Sequence, residues 1–94
     1  MKKMYVVLFA VNRNREKKNI LEYVAKFFGG YSLTTMQGGW HDKNTDKVIE
    51  ETSYKLELIT DREMDVFNLC EFIKDVANQS EVYYYELDVK IKVG

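Results

Sequence analysis

From Met4 to Val11 both alternating sets of positions are apolar: Met4, Val6, Leu8 and Ala10 on one side, Tyr5, Val7, Phe9 and Val11 on the other. A strand of this kind lies inside a sheet that is covered on both faces. Helices can cover one face, and the other then needs a long loop or a second subunit. Asn12 to Asn19 is polar and basic and contains a helix start at Asn14. Ile20, Leu21, Val24, Phe27 and Phe28 follow at helical spacing, with Lys18, Glu22 and Lys26 on the opposite side. The pattern predicts a helix of about four turns. It ends at Gly29 or Gly30, because a left-handed terminal residue costs glycine least.

Tyr31 to Trp40 alternates weakly and carries Gly38-Gly39 near its end, as a bulged or edge strand does. After a polar tip from His41 to Lys47, Val48 to Thr60 places Tyr54, Leu56 and Leu58 on one face and Glu51, Ser53, Lys55 and Glu57 on the other. These two segments predict a long hairpin. Thr60-Asp61-Arg62-Glu63 matches a capping box, and behind it Val66, Leu69, Cys70, Ile73, Val76 and Ala77 form an apolar helical stripe. The last segment alternates Tyr83, Tyr85, Leu87, Val89, Ile91 and Val93 against Tyr84, Glu86, Asp88, Lys90 and Lys92. The order is β-α-β-β-α-β. It predicts one α+β domain over residues 1–94, a ferredoxin-like sandwich with a four-stranded antiparallel sheet and two helices on one face. That fold hosts many functions, so function has to be sought in the sites.

Composition narrows the classes. The 94 residues are 46% hydrophobic and 31% charged, which describes an ordinary globular protein with one core. A single cysteine, Cys70, rules out an internal disulfide and a cysteine-based zinc site, and points to a reducing, cytoplasmic setting. No apolar run approaches the roughly 20 residues that span a bilayer. Met1-Lys2-Lys3 and the apolar run behind it imitate a signal peptide, but Asn12-Arg13-Asn14-Arg15 follows without a cleavage site. Residues 1–47 hold nine Lys/Arg against four Asp/Glu, while residues 48–94 hold five against eleven. This disfavours a nucleic-acid binder and leaves room for local anion binding or self-association through opposite charges.

Four places invite chemistry, each beside a plainer reading. Gly29-Gly30, followed by Tyr31, offers backbone N–H groups to an anion, or is simply a helix stop. Arg13, Arg15 and Lys17 surround a helix N-terminus that welcomes phosphate, or form a solvated basic loop. Trp40, His41 and Glu51, with Asp42 and Asp46, gather an imidazole and carboxylates at the hairpin end, or make an exposed turn. The Asp42-Asn44-Asp46 spacing imitates a calcium loop, but Lys47 stands where glycine is required and Ser53 where glutamate is. Neither a metal site nor a catalytic set is expected, since His41 has no second histidine and no triad or elbow spacing around it. Cys70 lies on an apolar stripe and reads as inert core. RNA-recognition domains share this element order, but the third strand lacks their aromatic pattern, so Tyr5, Val7 and Phe9 are expected to form an interface between copies.

Phe28-Gly29-Gly30-Tyr31-Ser32-Leu33, continuing through Gly39-Trp40 to Glu51-Thr52-Ser53, resembles small uncharacterised proteins of bacteria, phages and other mobile elements. Their pattern is F-G-G-Y-T, then G-x-W or G-x-Y, a polar tip, and E-x-S; here Ser32 replaces the threonine and Trp40 directly follows Gly39. The resemblance implies a compact α/β accessory protein and supplies no catalytic residue. The expectation is a non-enzymatic, homo-oligomeric, dimeric binding protein without cofactor that engages a host factor. The alternative is a small-anion or nucleotide binder using the basic 13–18 loop and the glycine-bracketed hairpin.

Overall fold

A computed structural model describes residues 2–79 and 81–88. Strand β1 (Lys3–Ala10) is followed by helix α1 (Asn14–Phe28), the hairpin β2 (Ser32–Asp42) and β3 (Lys47–Thr60), helix α2 (Glu63–Ala77) and strand β4 (Tyr83–Leu87). The four strands form one antiparallel sheet in the order β2-β3-β1-β4. This is the ferredoxin-like α+β sandwich that the element order predicts. The continuation of the last strand through Val93 lies outside the described residues.

The core shows why both helices share a face. On β3, Tyr54, Leu56 and Leu58 point one way, and directly opposite them on β1 stand Phe9, Val7 and Tyr5. Partners in register share a side, so these six form one apolar plate. Ile20 and Val24 of α1 and Val66, Leu69, Cys70 and Ile73 of α2 pack on it in a single buried cluster. Each fully buried Leu or Ile there contributes roughly 1.5–3 kcal/mol. The expected interface of Tyr5, Val7 and Phe9 is thereby corrected: the three are 3%, 0% and 5% exposed inside the chain's own core. The helix-free side of β1 is instead Met4, Val6, Leu8 and Ala10. A two-residue period cannot rank two sides that are both apolar, and the one-sided β3 decides it through the register.

Local chemistry sets most boundaries. Gly29 ends α1 with φ of 82°, and its N–H donates to the Ala25 carbonyl at 3.1 Å. Asn78 does the same for α2 at φ 53°, while the Gln79 N–H reaches the Lys74 carbonyl, a Schellman-type end. The capping box does not form. Thr60 Oγ1 accepts the Arg62 N–H at 3.2 Å, and α2 begins at Glu63, which places the cap two residues later than the box requires. Gly38 and Gly39 form no bulge either, since β2 pairs with β3 without a break from Ser32–Glu57 to Asp42–Lys47.

That hairpin outruns the sheet. β1 stops pairing at Ala10–Ser53, whereas β2 and β3 continue through six further pairs to the tip. At about 3.4 Å per residue the two-stranded arm projects roughly 20 Å. It contributes to the elongated 51 × 26 × 20 Å shape.

The two glycines at the end of α1 have different tasks, which makes a test. Gly29→Ala should destabilise the protein by about 1–2 kcal/mol, the cost of a left-handed residue with a Cβ. Gly30→Ala should be tolerated, because its φ is not left-handed and no atom lies within 4 Å of the added carbon. Urea unfolding of the two variants checks this, and equal loss would refute the assignment of Gly29 as the cap.

Candidate functional site

The basic loop does not converge on one point. Arg13 sits at the N-cap of α1 with a guanidinium nitrogen 3.8 Å from Glu16, and it faces a groove shared with Asn78 and Gln79 at the end of α2. Arg15 is exposed. Lys17 turns the other way and holds its Nζ 5.0 Å above the Tyr54 ring, a cation–π contact. Lys17 and Lys18 border an open groove of about 530 Å³ along α1 that Asn14, Leu21 and Tyr31 also line. Of the expected anion-binding residues, the fold therefore unites Lys17 and Tyr31 and separates Arg13 from them.

The glycine-bracketed stretch is also divided. The Gly29 N–H is used within its helix. Gly30 and Tyr31 lie at the base of the hairpin beside Met4, Phe28, Ser32, Glu57 and Ile59, around a hollow of about 340 Å³. Trp40 is nine residues farther along the strand, roughly 30 Å at strand rise. It stands opposite Ile49 on the projecting arm, and the two are 52% and 36% exposed. Glu51 pairs with Gly38 on the same arm. His41 Nε2 lies 2.8 Å from Asp46 at the exposed tip, and Asp42 accepts the Asn44 N–H at 2.9 Å to shape the turn. Tyr31 and Trp40 thus do not share a site within one chain. Among the described residues no three potential metal-ligating side chains come together.

What the sequence reading missed is the helix-free face of the sheet. Met4, Val6 and Leu8 of β1 stand opposite Leu87, Tyr85 and Tyr83 of β4, and Ile59 of β3 stands opposite Met4. Val6 is covered by its neighbours, but Ile59, Tyr83, Tyr85 and Leu87 are 49%, 61%, 44% and 45% exposed. Tyr83, Tyr85 and Leu87 therefore point away from the helices, and Tyr84 fills the inner side near Tyr5 with ring centroids 6.3 Å apart. The signal was present in the one-sided pattern of Tyr54, Leu56 and Leu58, but using it required knowing which residues they oppose.

Solved structures share this fold. The periplasmic divalent cation tolerance protein CutA from Archaeoglobus fulgidus superposes with a TM-score of 0.67 at 8% identity, over 99% of this chain and 88% of that one. A phage SAM lyase in complex with S-methyl-5'-thioadenosine gives 0.68 at 12% identity, over 93% and 81%. GlnK of B. subtilis in its ATP complex gives 0.61 at 16% identity, over 92% and 84%. At such identities the fold is what they share with this chain. No family model matches the sequence, and no curated protein matches it. No helix among the described residues is long and apolar enough to cross a membrane.

Cys70 is buried at the helix–sheet contact, and burial pushes its thiol up to about 11. It should therefore react with a disulfide reagent at pH 8 far more slowly in the folded protein than in urea. Because the folded thiol holds its proton more tightly than an unfolded one near 9, its contribution to stability is full below pH 9 and is lost as the pH rises toward 11. Rapid native labelling at pH 8 would contradict this.

Proposed function

We propose that this protein is a non-enzymatic binding protein that works as a homo-oligomer, with the helix-free sheet face as the seam between copies. The observation that carries this is the side-by-side exposure of Ile59, Tyr83, Tyr85 and Leu87 around the apolar centre of β1. Each of those four exposes on the order of 100 Å² of side chain, about 400 Å² together. An apolar patch of that size is often functional on a monomer. A second copy is the preferred occupant because antiparallel sheets that leave an apolar face open must cover it, and every copy carries the same face.

The side-chain set supports a binding role over catalysis. His41 is the sole imidazole and is held by Asp46 at an exposed turn, while Cys70 keeps its proton in the core. Neighbours whose names record an ATP complex and cation tolerance are consistent with small-ligand binding on this scaffold. The lyase neighbour bears the same scaffold with an activity, so SAM turnover is the reaction to exclude. The cytoplasmic setting rests on cysteine usage. The role as a mobile-element accessory that engages a host factor rests on the resemblance of the Phe28 to Ser53 motifs alone.

Light scattering should show a dimer or higher oligomer at micromolar concentration, and Tyr85→Lys or Ile59→Lys should release monomers that retain native circular dichroism. A monomer in the unmodified protein removes the reading. Release of methylthioadenosine from SAM would overturn its non-enzymatic part.

A second reading is favoured by one observation, the groove that joins Lys17, Lys18 and Tyr31. Two ammonium groups beside an aromatic ring suit a nucleotide phosphate and base. In that case millimolar ATP raises the melting temperature by several degrees and Lys17→Glu with Lys18→Glu abolishes the rise. An unchanged melting temperature with ATP and with inorganic phosphate removes this reading.

A further inference from the structure

We infer that the β2–β3 arm is a clasp: Trp40 and Ile49 of one copy pack on the helix-free sheet face of another. This rests on the reading of that face as the seam between copies, and it names the element that completes the seam.

Three features of the arm call for a covering surface. First, its six outer pairs have no third strand and no helix against them among the described residues, and a two-stranded hairpin alone is marginal in water. Second, it exposes three large apolar side chains among polar ones. Trp40 and Ile49 face one side, and Val48, 70% exposed, faces the other. Third, Gly38 and Gly39 occupy regular strand positions whose φ values do not require glycine. In a strand interior glycine weakens the pairing, and its use there fits a place where another backbone or side chain comes close. A Cβ on Gly39 would already sit 3.3 Å from the Ile49 carbonyl oxygen, so the arm is tight as well as bare at this point.

The side on which Trp40 lies selects the occupant. Met36, Gly38 and Trp40 of β2, and Ile49, Glu51 and Ser53 of β3, fall on the same side of the sheet as Met4, Val6 and Leu8, because each strand alternates and the register is unbroken. The seam and the inner face of the arm thus lie on one side of the sheet, with Lys55 and Glu57 of β3 between Ile59 and the arm. The area argument agrees. The four exposed residues of the seam provide about half of the roughly 800 Å² per partner that a stable interface buries. Trp40 and Ile49 add on the order of 200 Å² more, which brings the sum to roughly three-quarters of that size. In a closed ring or pair of copies each arm is given to one neighbour and one is received, so no arm is left in solvent.

Trp40 is the only tryptophan, which makes the unmodified protein its own probe. Its emission maximum and its quenching by acrylamide should be followed by dilution from about 100 μM to nanomolar concentration, alongside light scattering. The clasp predicts blue-shifted, quencher-protected emission in the oligomer, turning to exposed emission with the same midpoint as dissociation. The Tyr85→Lys monomer should show the exposed spectrum at every concentration. Trp40→Ala should raise the dissociation constant at least tenfold with circular dichroism unchanged. An oligomer whose Trp40 emission remains exposed and freely quenched overturns the clasp and leaves the seam standing. A chain that is monomeric throughout overturns both.

Discussion

The antiparallel pairing that sets Val7 opposite Leu56 governs the architecture of this protein. It places the apolar side of β3 and one apolar side of β1 on a common plate, and the helices follow because Ile20, Val24, Val66, Leu69 and Ile73 have no other surface as large to bury. Had the strands slipped by one residue, Ser53, Lys55 and Glu57 would have faced the helices in place of Tyr54, Leu56 and Leu58. Burying charged groups without partners costs far more than any hydrogen bond in the ladder returns.

The same register determines what the helices leave uncovered. Once Tyr5, Val7 and Phe9 belong to the core, Met4, Val6 and Leu8 are committed to the far side, and β4 adds Tyr83, Tyr85 and Leu87 to them. In the proposed reading, a strand that is apolar on both sides serves two interfaces, one within the chain and one with a second copy. The arm extends that outer surface past the end of β1. Function in this reading follows from geometry that only the sheet supplies, and the charged loops are peripheral to it.

The candidate site was only partly legible. Lys17 and Tyr31 do share a groove, and Gly29 does stop a helix, because both depend on contacts within or next to one element. Arg13 and Lys17 are four positions apart, yet they border different grooves, one shared with the end of α2 and the other running along α1 toward Tyr31. Tyr31 and Trp40 look adjacent on paper, but an extended strand separates them by its whole length. The spacing of residues in a chain measures distance in space only when the secondary structure between them is known.

From sequence alone, the six elements, their order and a glycine stop of the first helix at Gly29 or Gly30 were determined, because hydrophobic period and glycine chemistry act over a few residues, and the structure assigns the left-handed residue to Gly29. The sandwich followed from that order. Tertiary structure decided which side of β1 and of β4 meets the helices, the unbroken pairing at Gly38-Gly39, and the failure of the Thr60 capping box. The reason is common to all three. Two apolar sides are equivalent to a local pattern, a glycine pair is compatible with bulge and strand alike, and a cap depends on where the packed helix begins; only the cross-strand register and the shared core break those ties.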